Sequence, residues 1–134
     1  MMSNRFLPTV VLALALGSAS AIAADKVTTV HFKAGSAHAT LRGKIKGWDT
    51  MTYRLGASEG QVMSVLLSPN NRSCYFNVMP PSGEEAIFIG ADRGNEFADQ
   101  LHFSGDYKVE VYLMRNEARR GKTCAYTITF EISG

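Results

Sequence analysis

Two stretches near the end of the chain alternate strictly between apolar residues and other residues. Alternation with a period of two over such a length predicts two half-buried β-strands. The alternating apolar positions are Tyr107, Val109, Val111 and Leu113 in the first stretch, and Tyr126, Ile128, Phe130 and Ile132 in the second.

Shorter apolar runs, separated by Gly, Pro, Ser and Asn residues, occupy the preceding part of the chain. We find no convincing helical pattern among them. Short strands at this spacing indicate a single all-β domain of about eight or nine strands, either an antiparallel sandwich or a barrel. Strands are expected near residues 30–32, 39–45, 51–55, 61–67, 74–78 and 87–89, and residues 90–99 are expected to be irregular.

The N-terminus has the composition of an export signal. Arg5 precedes the apolar run 6–17, and an Ala-Ile-Ala segment ending at Ala23 fits the small-x-small rule for cleavage. The apolar run is shorter than the roughly 20 residues of an ordinary membrane span. We therefore predict a signal peptide at residues 1–23 and an exported domain at residues 24–134, with no membrane span after cleavage.

Length and charge limit what the exported part can be. Its length of about 111 residues suffices for one compact domain and not for two. Without Arg5, which is one of 14 basic residues, 13 remain against 12 acidic residues, a net charge of +1. This balance provides no global positive field, so nucleic acid and membrane surfaces are not expected as partners.

The two cysteines, Cys74 and Cys124, are expected to form one disulfide, because the domain is exported. Neither has a second Cys or a His at metal-ligand spacing, and the three histidines are scattered. The sequence also lacks a G-x-S-x-G elbow and a phosphate-binding glycine loop. We therefore expect no metal site and no enzymatic activity.

The connection between the two long strands, residues 115–123, is the first candidate binding feature. It is about twice as long as a usual hairpin loop of about 2–5 residues. Loops on a rigid β scaffold commonly carry binding residues, and the alternative is a solvated basic loop that protects a neighbouring sheet edge from aggregation. The basic residues of the connection are Arg115, Arg119, Arg120 and Lys122, against one acid, Glu117.

The only tryptophan, Trp48, is the second candidate feature. It lies between Gly47 and Asp49, where the turn between the second and third predicted strands is expected. A tryptophan in a sandwich more commonly belongs to the core. The polar and turn-forming neighbours of Trp48 instead favour a loop tip, where an exposed tryptophan is a typical binding anchor. Both interpretations are open on the sequence alone.

Two short motifs and a longer segment give the chain a resemblance to a known family. They are Ser104-Gly105-Asp106-Tyr107, Arg115-Asn116-Glu117-Ala118-Arg119 and residues 30–61. All three resemble the periplasmic inhibitors of goose-type lysozyme. The resemblance implies a β-sandwich in the periplasm, a non-enzymatic role without a cofactor, and insertion of loops into the substrate cleft of a lysozyme.

The same resemblance suggests roles for individual residues. Arg115 and Arg119 are expected to pair with the carboxylates of a glycoside-cleaving site, because a guanidinium matches them in charge and bidentate geometry. Trp48 is expected to fill a sugar subsite, and Asn116 to hydrogen-bond to polar groups there. Weaker candidates for contact are Asp49 and Tyr53, and the residues with an expected structural role are Ser104, Gly105 and Tyr107.

Two other interpretations compete with this one. An exported carbohydrate-binding sandwich would use Trp48 without a lysozyme partner, and it would bind soluble glycan in the absence of any lysozyme. An inhibitor of another lysozyme type would differ in loop shape, which the sequence does not specify. The sequence does not specify an oligomeric state either.

Overall fold

The computed structural model describes residues 22–83 and 85–134. Of the predicted signal peptide at residues 1–23, all but Ile22 and Ala23 lies outside the described residues. The described part of the chain forms nine strands and two helices of one turn each. In chain order the elements are β1 (Asp25–Thr29), β2 (His38–Lys46), β3 (Thr50–Ala57), β4 (Val62–Pro69), β5 (Cys74–Met79), β6 (Phe88–Ile89), α1 (Gly90–Arg93), β7 (Glu96–Gln100), β8 (Gly105–Leu113), α2 (Arg115–Ala118) and β9 (Thr123–Ser133).

The strands form two sheets that pack face to face, which confirms the predicted all-β sandwich. One sheet has the order β1-β3-β8-β5-β6 and the other has the order β2-β9-β4-β7. All neighbouring strands are antiparallel except β1 and β3. The two long alternating stretches form β8 and β9, which lie at interior positions of different sheets. They therefore pack across the sandwich without pairing, which explains why their connection is longer than a hairpin loop.

The structure corrects two predictions of local structure. The first strand, β1, lies before the predicted residues 30–32. It pairs in parallel with β3 at a sheet edge and buries none of its side chains, so its sequence lacks the alternation of a half-buried strand. Residues 90–99 are not irregular but contain α1 and β7. A helix of four residues is too short to show a period, and β7 buries Phe97 alone, so neither element produces a clear sequence pattern.

A buried hydrogen bond between two tyrosines joins the two sheets. The hydroxyl oxygens of Tyr53 in β3 and Tyr126 in β9 lie 2.8 Å apart. Burial raises the pKa of both phenols. Tyr53 is only 2% exposed and its ring packs against Phe130, so the structure corrects the prediction that Tyr53 contacts a partner. Gly43 leaves the space for the Tyr126 ring, because a Cβ at Gly43 would overlap it.

The disulfide between Cys74 and Cys124 joins the two sheets near one end, which confirms the predicted bridge. Cys74 begins β5 opposite Leu113, and Cys124 lies opposite Ile45 near the end of β2. Both cysteines are fully buried. The bridge therefore lies beside the strand ends from which the β2–β3 and β8–β9 connections leave.

Replacing both cysteines with alanine is expected to lower the free energy of unfolding. The bridge links residues at a sequence separation of 50, and closing a loop of that size stabilises a protein by about 2–4 kcal/mol. Urea denaturation of the oxidised protein and of the double variant measures the difference. The reduced wild-type protein should match the double variant, and equal stability of the oxidised and double-variant proteins would contradict this role.

Tyr126→Phe is expected to lower stability by about 1–3 kcal/mol, because it leaves the buried hydroxyl of Tyr53 without its partner. The double variant Tyr53→Phe/Tyr126→Phe removes both hydroxyls and is expected to cost less. Since the folded-state pKa of both phenols lies above the unfolded value of about 10, their contribution is complete below that pH and declines as pH rises above it. Denaturation at neutral and alkaline pH tests both points, and the double variant should show a shallower alkaline decline.

Candidate functional site

Trp48 lies at the tip of the turn that carries the chain from β2 in one sheet to β3 in the other. The N–H of Asp49 donates to the carbonyl of Lys46 at 3.1 Å. Gly47 has a φ of +60°, as in a type II′ turn with glycine at its first central position. Trp48 is 53% exposed. The structure therefore places this tryptophan on the surface and not in the core.

Hydrogen bonds hold this turn on both sides. Before the tip, the N–H of Gly47 donates to the carbonyl of Lys122 in the β8–β9 connection at 2.8 Å. After the tip, Oδ1 of Asp49 accepts from the N–H of Ala24 at 2.8 Å, and the N–H of Thr50 donates to the carbonyl of Ala24 at 2.9 Å. The tryptophan is therefore presented by a braced turn and not by a loose loop.

The β8–β9 connection begins with the helical turn α2, where the sequence predicted no helix. The N–H groups of Ala118 and Arg119 donate to the carbonyls of Met114 and Arg115 at 2.8 and 3.0 Å. Ala118 is buried in the core and anchors the turn. The side chains of Arg115, Asn116 and Arg119 are exposed. The basic connection is therefore a folded element that directs its polar side chains outward.

The Trp48 turn and α2 border a common groove of about 460 Å³, which we call the Arg115 groove. Trp48 contributes from the β2–β3 turn, and Arg115 and Asn116 contribute from α2. Strand β8 contributes Glu110 and Tyr112. The fold thus brings together four of the predicted binding residues, since Asp49 lines the groove as well, although Trp48 and Asp49 are far in sequence from the two residues of α2.

A second groove, of about 340 Å³, also borders on Trp48, and we call it the Arg119 groove. Arg119 lines it just after α2, and Lys46 lines it at the end of β2. Ile22 and Ala23, the first described residues, line it as well. Trp48 therefore lines two grooves, one together with Arg115 and the other together with Arg119.

The arginines of the β8–β9 connection differ in their charge environment. Arg115 and Arg119 make no ion pair within residues 22–83 and 85–134. Arg120 lies 4.0 Å from Glu117, and an exposed pair at that distance contributes little to stability. Arg115 and Arg119, the two arginines predicted to bind, therefore have no internal ion pair among the described residues to give up when they meet a ligand.

Glu110 and Tyr112, which were not predicted from the sequence, also line the Arg115 groove. Burial, and secondarily the charge of Asp25, raises the pKa of Glu110. The hydroxyl of Tyr112 donates to Oδ1 of Asn77 at 2.9 Å, and burial raises the pKa of Tyr112. Both residues lie on the less buried face of β8 near its end. Glu110 and Tyr112 could have been identified from the sequence, because they precede the basic connection on the same predicted strand.

The Ser104–Tyr107 motif lies at the opposite end of β8 from α2. The hydroxyl of Tyr107 donates to the carbonyl of Phe103 at 2.6 Å. The Oγ of Ser104 accepts from the N–H of Glu59 at 2.8 Å. Gly105 has a φ of +141°, which favours glycine. The motif shapes the entry into β8 and lies away from both grooves.

The chemistry of the grooves is suited to non-covalent recognition. A guanidinium group binds carboxylates through paired hydrogen bonds, and an indole provides an apolar face with one N–H donor. Among the residues that the structure describes, no three His, Cys, Asp or Glu side chains are grouped so that they could hold a metal ion. No helix in the described ranges is long and apolar enough to cross a membrane.

No protein-family model matches the chain. The inhibitor of g-type lysozyme of Escherichia coli (strain K12) is 32% identical over 127 residues, which cover 91% of this chain and 92% of that protein. The crystal structure of Aeromonas hydrophila PliG, a periplasmic inhibitor of g-type lysozyme, has a TM-score of 0.74 and 36% identity, and the match covers 82% of this chain and 100% of that one. The corresponding Salmonella Typhimurium inhibitor has a TM-score of 0.63 and 29% identity, with 81% and 98% covered. Identity and coverage at this level show that the chain belongs to the family of periplasmic inhibitors of g-type lysozyme.

Proposed function

We propose that the protein inhibits a g-type lysozyme in the periplasm by placing the Trp48 turn and α2 in the substrate cleft of the enzyme. Membership of the inhibitor family supports the choice of partner. The observation that carries the choice of surface is the Arg115 groove, where Trp48, Arg115 and Asn116 meet at one end of the sandwich.

The two exposed arginines are suited to the acidic groups of a glycoside-cleaving enzyme. Such an enzyme needs carboxyl groups on either side of the scissile bond. A guanidinium remains charged and donates in a fixed fork geometry that matches a carboxylate. Since Arg115 and Arg119 have no ion-pair partner among the described residues, they can pair with a ligand without breaking an internal bond.

The Trp48 turn would add an apolar anchor in a sugar subsite. Because the turn is braced by hydrogen bonds on both sides, binding would cost little conformational entropy. The amide of Asn116 offers both donors and an acceptor to polar groups of the cleft. Asp49, whose carboxylate already accepts a hydrogen bond from Ala24, would position the turn more than contact the enzyme.

Clearing of a peptidoglycan suspension tests this function directly. Purified goose-type, invertebrate-type and chicken-type lysozymes are compared with and without the protein, and turbidity is followed over time. Loss of clearing by the goose-type enzyme is the expected result. If every lysozyme stays fully active and the protein binds soluble glycan alone, the exposed Trp48 serves carbohydrate binding and the proposal fails.

Arg115→Ala and Arg119→Ala are each expected to raise the inhibition constant at least about tenfold, because truncating one member of a buried charge pair costs about 2–5 kcal/mol. Arg42→Ala is the matched control, since Arg42 is an exposed arginine in the middle of β2, away from α2. Thermal midpoints of all three variants should stay close to that of the wild type. An inhibition constant that both site variants leave unchanged would refute the assignment of this surface.

Gly47→Ala is expected to weaken inhibition by displacing Trp48. A side chain at φ +60° is disfavoured by about 1–2 kcal/mol, so the turn must change shape. Gly35→Ala is the control, because Gly35 has a φ of +80°, open space for a Cβ, and a position before β2 at the opposite end of the sandwich. Both variants should lose similar stability, but only Gly47→Ala should alter the fluorescence of the single tryptophan and the inhibition constant. Equal inhibition by both would contradict the role of the turn.

A further inference from the structure

The brace behind the Trp48 turn involves an unusual backbone position. The nitrogen of Ala24 donates to Oδ1 of Asp49 at 2.8 Å, and Asp49 directly follows Trp48. Cleavage after Ala23, which the sequence predicts, would make Ala24 the amino terminus. The carboxylate that holds the turn therefore faces the nitrogen that cleavage would change from an amide into an amine.

The carboxylate of Asp49, 2.8 Å away, favours a cation at this nitrogen. The acids Asp25, Asp49 and Glu110 make no salt bridge within the part of the chain that the structure describes. The charge of Asp25 adds to the effect of burial in raising the pKa of Glu110, so at least these two acids influence each other. The basic residues of the neighbouring Arg119 groove, Lys46 and Arg119, pair with none of the three.

The segment before Ala24 lies beside the binding residues. Ile22 and Ala23 line the Arg119 groove together with Trp48 and Arg119. Ile22 is 88% exposed, so it is held there by little packing. Cleavage after Ala23 would therefore remove two residues that line this groove.

We propose that removal of the segment ending at Ala23 completes the inhibitory surface. The new α-ammonium group of Ala24 pairs with Asp49 and fixes the Trp48 turn, and the departure of Ile22 and Ala23 opens the Arg119 groove to the lysozyme. The effect on inhibition rests on the proposed function, whereas the pairing of the ammonium with Asp49 does not.

The chemistry of this step is peptide hydrolysis by the peptidase that removes export signals. Water adds across the bond between Ala23 and Ala24, so that Ala23 leaves as a carboxylate and Ala24 keeps an amine. The amine takes up a proton at neutral pH, because an α-amino group has an ordinary pKa of about 7.7–8.0. A hydrogen bond from a neutral amide to Asp49 thereby becomes an ion pair with a hydrogen bond, which is the stronger interaction.

Two forms of the full domain test the proposal, one beginning at Ala24 and one at Ile22, each released from a fusion in an oxidising compartment and checked by mass. A third form carries Ile-Ala after Gly134, which lies beside Gly60 and Gln61 at the opposite end of the sandwich. The form beginning at Ile22 is expected to have an inhibition constant at least about tenfold higher than the form beginning at Ala24. It lacks the ion pair between the ammonium group and Asp49, and it keeps Ile22 and Ala23 in the Arg119 groove. The form extended at its C-terminus should inhibit like the one beginning at Ala24.

An NMR titration of the α-amino group provides a readout that needs no lysozyme. In the form beginning at Ala24, the pKa of this group should lie above its ordinary value, because a nearby negative charge favours the cation. In Asp49→Asn, which keeps the size of the side chain, the pKa should fall back toward that value. The other charged residues named above, which are Asp25, Glu110, Lys46 and Arg119, stay unchanged in the comparison.

Each outcome decides one part of the proposal. An ordinary pKa that Asp49→Asn does not change would overturn the ion pair. Equal inhibition by the forms beginning at Ala24 and Ile22 would overturn the opening of the Arg119 groove, as would a natural protein whose mass shows another amino terminus. If no form inhibits the goose-type enzyme, the proposed function fails, and the titration alone then supports or overturns the ion pair.

Discussion

Four connections at the same end of the sandwich carry the chain from one sheet to the other. These connections lead from β2 to β3, from β4 to β5, from β6 to β7 and from β8 to β9. Packed sheets are about 10 Å apart, so each connection must span that gap at the rim. This constraint brings Trp48 and α2 to the same groove, although the sequence separates them. It also explains why α2 buries Ala118, which covers the core where the chain crosses.

Three of these crossings, which leave β2, β4 and β8, are joined into one stiff structure. The disulfide links the start of β5 to the start of β9. The N–H of Met114 donates to the carbonyl of Ser73 at 2.8 Å, so the β4–β5 connection supports the entry to α2. Oδ1 of Asn70 accepts from the N–H of Ala125 at 2.9 Å and adds a further link. Since ordering a loop on binding costs free energy, a surface that is already ordered retains more of its interaction energy with a partner.

The sequence was sufficient to predict a strand where one face of that strand is buried. It was insufficient to predict contacts that depend on the order of strands in the sheets. The alternation in β8 and β9 predicted their inward faces, but β7 buries only Phe97 and produced no signal. Tyr53 lies in an alternating strand, but its sequence neighbours do not show that its hydroxyl is buried. That burial depends on Tyr126 of the other sheet, whose hydroxyl is its hydrogen-bond partner. The proximity of Trp48 and Arg115 depends on which strands share a sheet. Local patterns do not contain that information, and the family resemblance supplied it.

Charge in this protein acts through local placement and not through a global field. A net charge of +1 over residues 24–134 gives no long-range attraction, and salt screens exposed charges beyond about 8 Å at physiological ionic strength. Within the Arg115 groove, the guanidinium of Arg115 is exposed whereas the carboxyl group of Glu110 is half-buried. An acidic group of a partner would therefore be attracted by Arg115 and repelled by ionised Glu110. On the proposed inhibitory surface, this arrangement would contribute to specificity more than to raw affinity, because an acidic cleft would have to place its carboxylates near Arg115 and away from Glu110.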